Sequence, residues 1–438
     1  MKVARLDDLS LAERQSLLRR SAIPDPEVRA KASEICRDVK LRGGNAIEDH
    51  ARTFGGGFSR VTAAAVDRAV ASLNIDLRSA LDRAIAAIRA FHSTQLPRSS
   101  TVATGPGVEI TRRWAPLRRV GAYIPGGTAP LPSTALMTIV PAVVAGVDEV
   151  VAVSPAPDPQ GPNPVVIAAA GLAGATEFWS IGGAQAIAAL AYGAGQLERV
   201  QKVVGPGNAW VTAAKLAVFG DVAIDLPAGP SEVLVVADHT ADPRLVAVDL
   251  LCQAEHGPDS PAVLVTTDAT MPDRVLAAID DLLPSLKRRS ILKRTLDDNG
   301  LVLIASSHED ALVFAQEYAP EHVSISTSDP EADAARVTSA GSVYIGPWAA
   351  ESAGDYATGA NHVLPTGGLA AACSPLQVED FGSWRQEQRL TRQGLAALVP
   401  TITTLAAAEG LSAHARAATL RFEDQKARVG ADESNRNR

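Results

Sequence analysis

From residue 118 to residue 347 the chain alternates short Val- and Ile-rich runs with longer stretches of helical spacing, and Gly or Pro marks nearly every junction. RRVGAYIPGG reads as a strand running into a Gly-rich turn. VDEVVAVSPAP reads as a buried β-branched strand, NPVVIAAAGLAG as a helix, TEFWSIGG as a strand and AQAIAALAYG as a helix, with RVQKVVGPG and DVAIDLPAGP closing the section. The rhythm then repeats. AVLVTTD, LVLIASS, HVSIST and SVYIGP are strands, separated by helices at MPDRVLAAIDDLLPSLKRR, HEDALVFAQEYAP and EADAARVTSA. Strands joined through helices pair in parallel, so the pattern predicts two Rossmann-like α/β domains.

The 438 residues are too many for one ordinary core. Aromatic content of only 4 % suits layered α/β packing better than a β-sandwich. LSLAERQSLLRRS, PEVRAKASEICRDVKLRGG, AAAVDRAVASL and SALDRAIAAIRAFHSTQ carry apolar positions at three-to-four spacing, so the first part of the chain reads as helical. RQEQRLTRQGLAAL and LSAHARAATLRFEDQKARV predict a helical C-terminal tail, and GADESNRNR a frayed end. The expected division is a helical N-terminal region over 1–120 packed on the second α/β domain, a first Rossmann-like domain over 121–235, a second over 236–372, and a helical C-terminal segment over 373–438.

A net charge of −8 offers no basic face for nucleic acid. The amphipathic start MKVARLDDLSLAERQSLL lacks the apolar core of a secretory signal. TALMTIVPAVVAGV is short for a membrane span and is interrupted by Pro141. Cys36, Cys252 and Cys373 are too scattered for a disulfide framework, and they read as buried thiols in a reducing cytoplasm.

Four Gly-rich turns, YIPGG, SIGGAQA, VVGPGNAW and LPAGPSE, follow expected strands. Such turns bring backbone amides close to a phosphate at a helix N-terminus, at the strand carboxyl ends where open sheets bind ligands. The GxGxxG fingerprint is absent, and tight strand-to-helix turns need glycine on their own account.

Polar chemistry concentrates elsewhere. Of eight histidines, His256, His322, His362 and His414 sit in polar clusters, whereas His50, His92, His239 and His308 read as solvated or capping residues. Gln253 and His256 in QAEHGPDS share one helix face and, with a carboxylate such as Asp355, form a candidate metal set; a capped helix end explains the same string. Glu321 and His322 are adjacent, so both serve one site only where a strand begins or frays. They are two bases suited to neutral pH, or a surface pair at a strand start.

Taken in order, GAYIPGGTAPLPSTALM, IGGAQAIAALAYG, VVGPGN, AGPSEVLVVAD, QAEHGPDS, APEHVSI, GDYATGANHVLPTGG and AAEGLSAHA resemble histidinol dehydrogenase from about residue 25 to 422. The resemblance implies a zinc enzyme that oxidises L-histidinol through L-histidinaldehyde to L-histidine with two NAD. It implies Gln253, His256, Asp355 and His414 as metal ligands and Glu321 and His322 as the catalytic pair. Ser231, His362 and Glu409 are implied to hold substrate beside the metal ligands and His322, and Tyr123, Gln185 and Asn208 to face NAD. It further implies a homodimer whose exchanged C-terminal segment brings Glu409 and His414 into the partner's site. Two other readings compete: a dehydrogenase on the same scaffold acting on another polar alcohol such as a sulfonated diol, and a non-catalytic, metal-stabilised nucleotide-binding protein.

Overall fold

The computed structural model describes residues 1–55, 57–126, 130–156 and 161–423; Gly127 of the YIPGG turn and the terminal GADESNRNR lie outside them. The strands are β1 (Lys2–Arg5), β2 (Ser59–Val61), β3 (Ser100–Gly105), β4 (Val108–Pro116), β5 (Arg119–Tyr123), β6 (Glu149–Ser154), β7 (Glu177–Ser180) and β8 (Lys202–Val204). They continue with β9 (Ala223–Ile224), β10 (Val233–Ala237), β11 (Ala262–Thr266), β12 (Gly300–Ile304), β13 (His322–Ser326), β14 (Ser342–Ile345) and β15 (Gly382–Leu390). The chain divides into two compact units, Met1–Leu96 with Pro116–Phe381, and Pro97–Ala115 with the chain from Gly382 onward.

The larger unit holds two six-stranded sheets, ordered β2-β7-β6-β5-β8-β9 and β1-β12-β11-β10-β13-β14 among the described residues. The pairings of β5 to β9 and of β10 to β14 are parallel. Each sheet therefore starts at its centre, grows to one side and then reverses to the other, the doubly wound order that the strand–helix alternation dictates. The central strands β5, β10 and β11 are buried along their whole length and mostly apolar, with Arg119 of β5 and Thr266 of β11 the polar exceptions. Helices cover both faces, which is why these strands read as continuous Val/Ile/Leu runs rather than alternating ones.

The N-terminal region departs from expectation in two ways. It contains strands, because β1 adds to the edge of the second sheet beside β12 and β2 pairs antiparallel with β7 of the first. Its helices also pack mainly on the first α/β layer, not the second. Pro26–Arg42 lies on Gly183–Tyr192 and Ala209–Val218, Ala63–Ala71 on Pro164–Ala173, and Ile75–Ser93 on Pro132–Ala145. Cys36 of the first of these joins the core beneath the sheet. The thiols are not uniformly buried: Cys252 is intermediate and Cys373 exposed. Nor is His92 solvated. It is fully buried, with Nδ1 2.9 Å from the Ile88 carbonyl. The TALMTIVPAVVAGV segment is the helix Pro132–Ala145, with Pro141 inside it. No described helix is long and apolar enough to cross a membrane.

The smaller unit is a three-stranded sheet ordered β15-β4-β3, followed by helices Arg392–Ala408 and Ser412–Thr419. Residues 385–390, the start of the stretch RQEQRLTRQGLAAL expected as helix, belong to strand β15. Arg112 of β4 stacks 3.6 Å over the Trp384 ring and Arg113 meets Glu387 at 2.9 Å, so cross-strand pairing overrides local propensity.

Candidate active site

The turns of the first sheet and those of the second are used at opposite strand ends. YIPGG, SIGG and VVGPG leave the carboxyl ends of β5, β7 and β8, as open-sheet binding sites do. LPAGPSE instead leads into the amino end of β10, and Glu321 stands immediately before the amino end of β13. The helix Pro243–Ala254 explains how QAEHG joins them. It is N-capped by Asp242, buries Val246, Ala247, Leu250, Leu251 and Ala254, and must run back against the strands to reach β11. Its last turn therefore comes to the amino edge.

At that edge the side chains interlock. The Ser231 hydroxyl donates to Glu321 Oε2 at 2.6 Å, and the Glu232 backbone N–H donates to the same oxygen at 2.8 Å. The Glu232 carbonyl accepts from the His322 backbone N–H at 3.2 Å and lies 3.2 Å from His322 Nδ1. A proton on Nδ1 satisfies that carbonyl and leaves Nε2 as a bare acceptor, and Nε2 is buried without a partner. His322 Nδ1 is 3.6 Å from Glu321 Oε2, so the two residues share one site because the strand begins between them. Burial pushes Glu321 well above the usual carboxylate range despite its two donors. Burial likewise holds His322 down at about 3 and His362 at about 4. Desolvation disfavours charge in each case, so both imidazoles are neutral acceptors at physiological pH.

Asp355 lies on the short helix Glu351–Tyr356, and Gly354 lets that helix pack close: a Cβ there would meet the Tyr344 hydroxyl at 2.3 Å. One ligand atom each of His256, Glu351 and Asp355 falls within 4.8 Å of the others. Glu351 is 2 % exposed, and neither carboxylate oxygen has a hydrogen-bond partner. Burial and the charges of Asp355 and Glu321 raise it well above the usual range, and burial raises Asp355 to about 6. Buried, mutually repelling carboxylates without donors are what a divalent cation would neutralise.

Gln253 sits beside Ser231 with its amide incompletely paired. The single Ser231 proton goes to Glu321, so the Gln253 oxygen 3.4 Å from that hydroxyl faces another acceptor while its amide nitrogen is buried unpaired. Turning the amide over lets the nitrogen donate to Ser231 and leaves the oxygen free to accept a hydrogen bond or bind a cation.

The cleft holding these groups encloses about 670 Å³ and is lined by Ser231, His256, Glu321, His322, Asp355 and His362. It reaches Tyr123 and Asn208, and it shares Gly126, Gly183 and Asn208 with a second cavity of about 430 Å³ that includes Gln185. The Tyr123 phenol accepts from the Gly183 N–H at 3.2 Å, and Asn208 caps helix Ala209–Val218 by accepting from Trp210 and Val211. Gly205, at φ +110°, is obligatory there, since a Cβ would lie 2.2 Å from the Tyr123 carbonyl. His362 Nδ1 is 3.2 Å from the Asp355 carbonyl and its Nε2 3.4 Å from the Thr134 hydroxyl.

Residues 18–422 match the family model for histidinol dehydrogenase. The chain belongs to the histidinol dehydrogenase family. Histidinol dehydrogenase of Halobacterium salinarum is 46 % identical over 436 residues, covering 97 % of this chain and 100 % of that protein. That of Vibrio vulnificus is 42 % identical over 435 residues, with 98 % and 100 % covered. The crystal structure of histidinol dehydrogenase from Elizabethkingia anophelis superposes with a TM-score of 0.90 at 36 % identity, covering 97 % of this chain and 98 % of that one. Membership in the histidinol dehydrogenase family makes the chain an oxidoreductase.

Of the residues expected at the site, Ser231, Gln253, His256, Glu321, His322, Asp355 and His362 converge within the larger unit, as Tyr123, Gln185 and Asn208 do around the glycine turns. Glu409 and His414 belong to the smaller unit, at the end of Arg392–Ala408 and on Ser412–Thr419, and both are exposed. Sequence reasoning missed Glu351. Its signal was the spacing of four to Asp355 in ESAGD, one helical turn.

Proposed function

We propose that this chain oxidises L-histidinol to L-histidine in two NAD-dependent steps, as the last enzyme of histidine biosynthesis. The observation that carries this is the convergence of a neutral, partnerless imidazole nitrogen on His322, a donor-held carboxylate on Glu321 and the cluster of two buried carboxylates, Glu351 and Asp355, with the exposed His256. Gln253, His256 and Asp355 would hold a zinc ion together with His414 of a second copy, and the glycine turns with Tyr123, Gln185 and Asn208 would hold NAD. Zinc would supply a template that grips the substrate's amine and imidazole, and NAD would supply the hydride acceptor.

The protein's own groups then act as follows. His322 Nε2 takes the hydroxyl proton as the carbinol carbon loses hydride, giving the aldehyde, NADH and a proton. Glu321, fixed on one oxygen by Ser231 and the Glu232 N–H, uses the other to deprotonate the water that adds to the aldehyde carbon. His322 takes a proton from the resulting diol as the second hydride leaves, and the carboxylic acid forms. Ser231, His362 and the second copy's Glu409 orient the substrate. Retention of Ser231 and His362 in the cleft favours histidinol over a sulfonated diol. The exposure of Glu409 and His414 suits residues that complete the site of a second copy in a homodimer. Three free cysteines suit a reducing cytoplasm.

The deciding experiment is NADH formation from L-histidinol by the full chain and by Glu321→Gln. The wild type should release two NADH per histidinol. The variant should keep part of the first oxidation and accumulate aldehyde. Equal loss of both half-reactions would remove Glu321 from the hydration step.

A further inference from the structure

Both proposed catalytic groups hang from one piece of backbone, at Glu232. Its N–H holds Glu321 Oε2, and its carbonyl holds both the main chain and Nδ1 of His322. What fixes Glu232 is its own side chain, which is 2 % exposed. Arg20, 212 residues earlier, grips that carboxylate with both prongs, Nε to Oε2 at 2.9 Å and Nη2 to Oε1 at 3.0 Å. The Gly367 N–H adds a third bond at 3.1 Å. The same Arg20 Nη2 donates to the Tyr318 carbonyl at 2.6 Å, and the guanidinium stacks 3.2 Å above the Tyr318 ring. Tyr318 precedes Ala319, the one non-glycine residue among those described with positive φ (46°), and Glu321 follows two residues later. A left-handed alanine is strained and persists only where its surroundings hold it. The residues after Arg20, Ser21 to Pro24, line the cleft itself.

We propose that Arg20 is a positioning residue for the reaction: its fork on Glu232 and its clamp on Tyr318 lock both strand starts, and so set Glu321 and His322 at a fixed separation beside the substrate. The inference rests on the reading of Glu321 and His322 as the catalytic pair. Lysine cannot replace the arginine, because an ammonium is a point donor that neither forks nor stacks as a plane.

The test uses zinc-loaded full-length enzyme. Arg20→Lys should lower kcat about 10- to 100-fold, the scale of a small misplacement of reacting groups, with KM for histidinol and bound zinc unchanged. Arg20→Met alone strands the buried Glu232 carboxylate and destabilises the fold, so comparing it with the double variant Arg20→Met/Glu232→Gln separates the effects. The double variant should regain most of the wild-type Tm while kcat stays low. Full kcat in Arg20→Lys, recovery of kcat along with Tm in the double variant, or a kcat loss matched by zinc loss would each overturn the proposal. Glu321→Gln and His322→Gln run alongside: if they keep full kcat, the catalytic-pair reading fails; if they are inactive while Arg20→Lys is not, only the positioning role fails.

Discussion

The turn VVGPGN, proposed to hold NAD, depends on a buried ion pair, and Lys215→Met should expose that dependence. Lys215 and Asp225 are each 1 % exposed in their side chains and in direct contact. Lys215 Nζ also donates to the carbonyls of Gly205 at 3.0 Å and Leu226 at 2.9 Å, and Asp225 accepts from the Gly205 N–H at 2.7 Å. Methionine matches the lysine stem but strands a buried carboxylate, which costs about 3–5 kcal/mol. With an unfolding entropy of about 2.1 cal/mol/K per residue over the roughly 360 residues of the larger unit, Tm should fall by about 4–7 °C. The turn between Gly205 and Asn208 loosens as well, so KM for NAD should rise. Lys215→Met/Asp225→Asn removes the stranded charge and keeps an acceptor for Gly205, and it should recover at least half of the lost Tm. Calorimetry of the three proteins decides. A double variant as unstable as the single one would refute the claim that the unpaired charge, and not the lost lysine bonds, carries the cost.

Asp249, partly buried and held by the Ser324 hydroxyl at 3.3 Å, is raised by burial from 3.8 to about 6. Its folded value lies above the unfolded one, so the stability it contributes is complete below pH ~4 and lost as pH rises through ~6. That amounts to about 3 kcal/mol at most, and to about 1–2 after allowing for its partial exposure. Metal-free Asp249→Asn should therefore lose less stability than the wild type between pH 4 and 7 in urea titrations, and parallel curves would contradict this. Glu351→Gln should weaken zinc binding about 10- to 100-fold in chelator competition while the fold persists; unchanged affinity would remove Glu351 from the metal's surroundings. His414→Ala should lose zinc on dialysis, and full metal content would exclude it as a ligand.

The legible parts of this protein are those whose cause is local. QAEHG and GDYATG stand out because polar groups follow one another in the chain, and Glu321-His322 because they are neighbours. Glu351 did not stand out, since a glutamate in a loop gives no sign that it will be buried without a donor. The Arg20–Glu232 fork joins residues 212 apart and left no trace in spacing. Strand β15 was misread because its exposed face carries helix-favouring side chains, while its pairing partner β4 lies about 270 residues upstream.

The sequence by itself determined the doubly wound layering, because runs of Val and Ile separated by helices must pair in parallel and be covered on both faces. It also marked most of the polar groups of the candidate site, Glu351 excepted. Only the tertiary structure decided which edge that inventory occupies. Pro243–Ala254 returns its last turn to the amino ends of β10 and β13, where Gln253 meets Ser231 and Ser231 meets Glu321 in the cleft that His256 also lines. The physical reason is burial. Which carboxylates are stripped of water, and which donors remain to hold them, is settled by the packing of segments far apart in the chain.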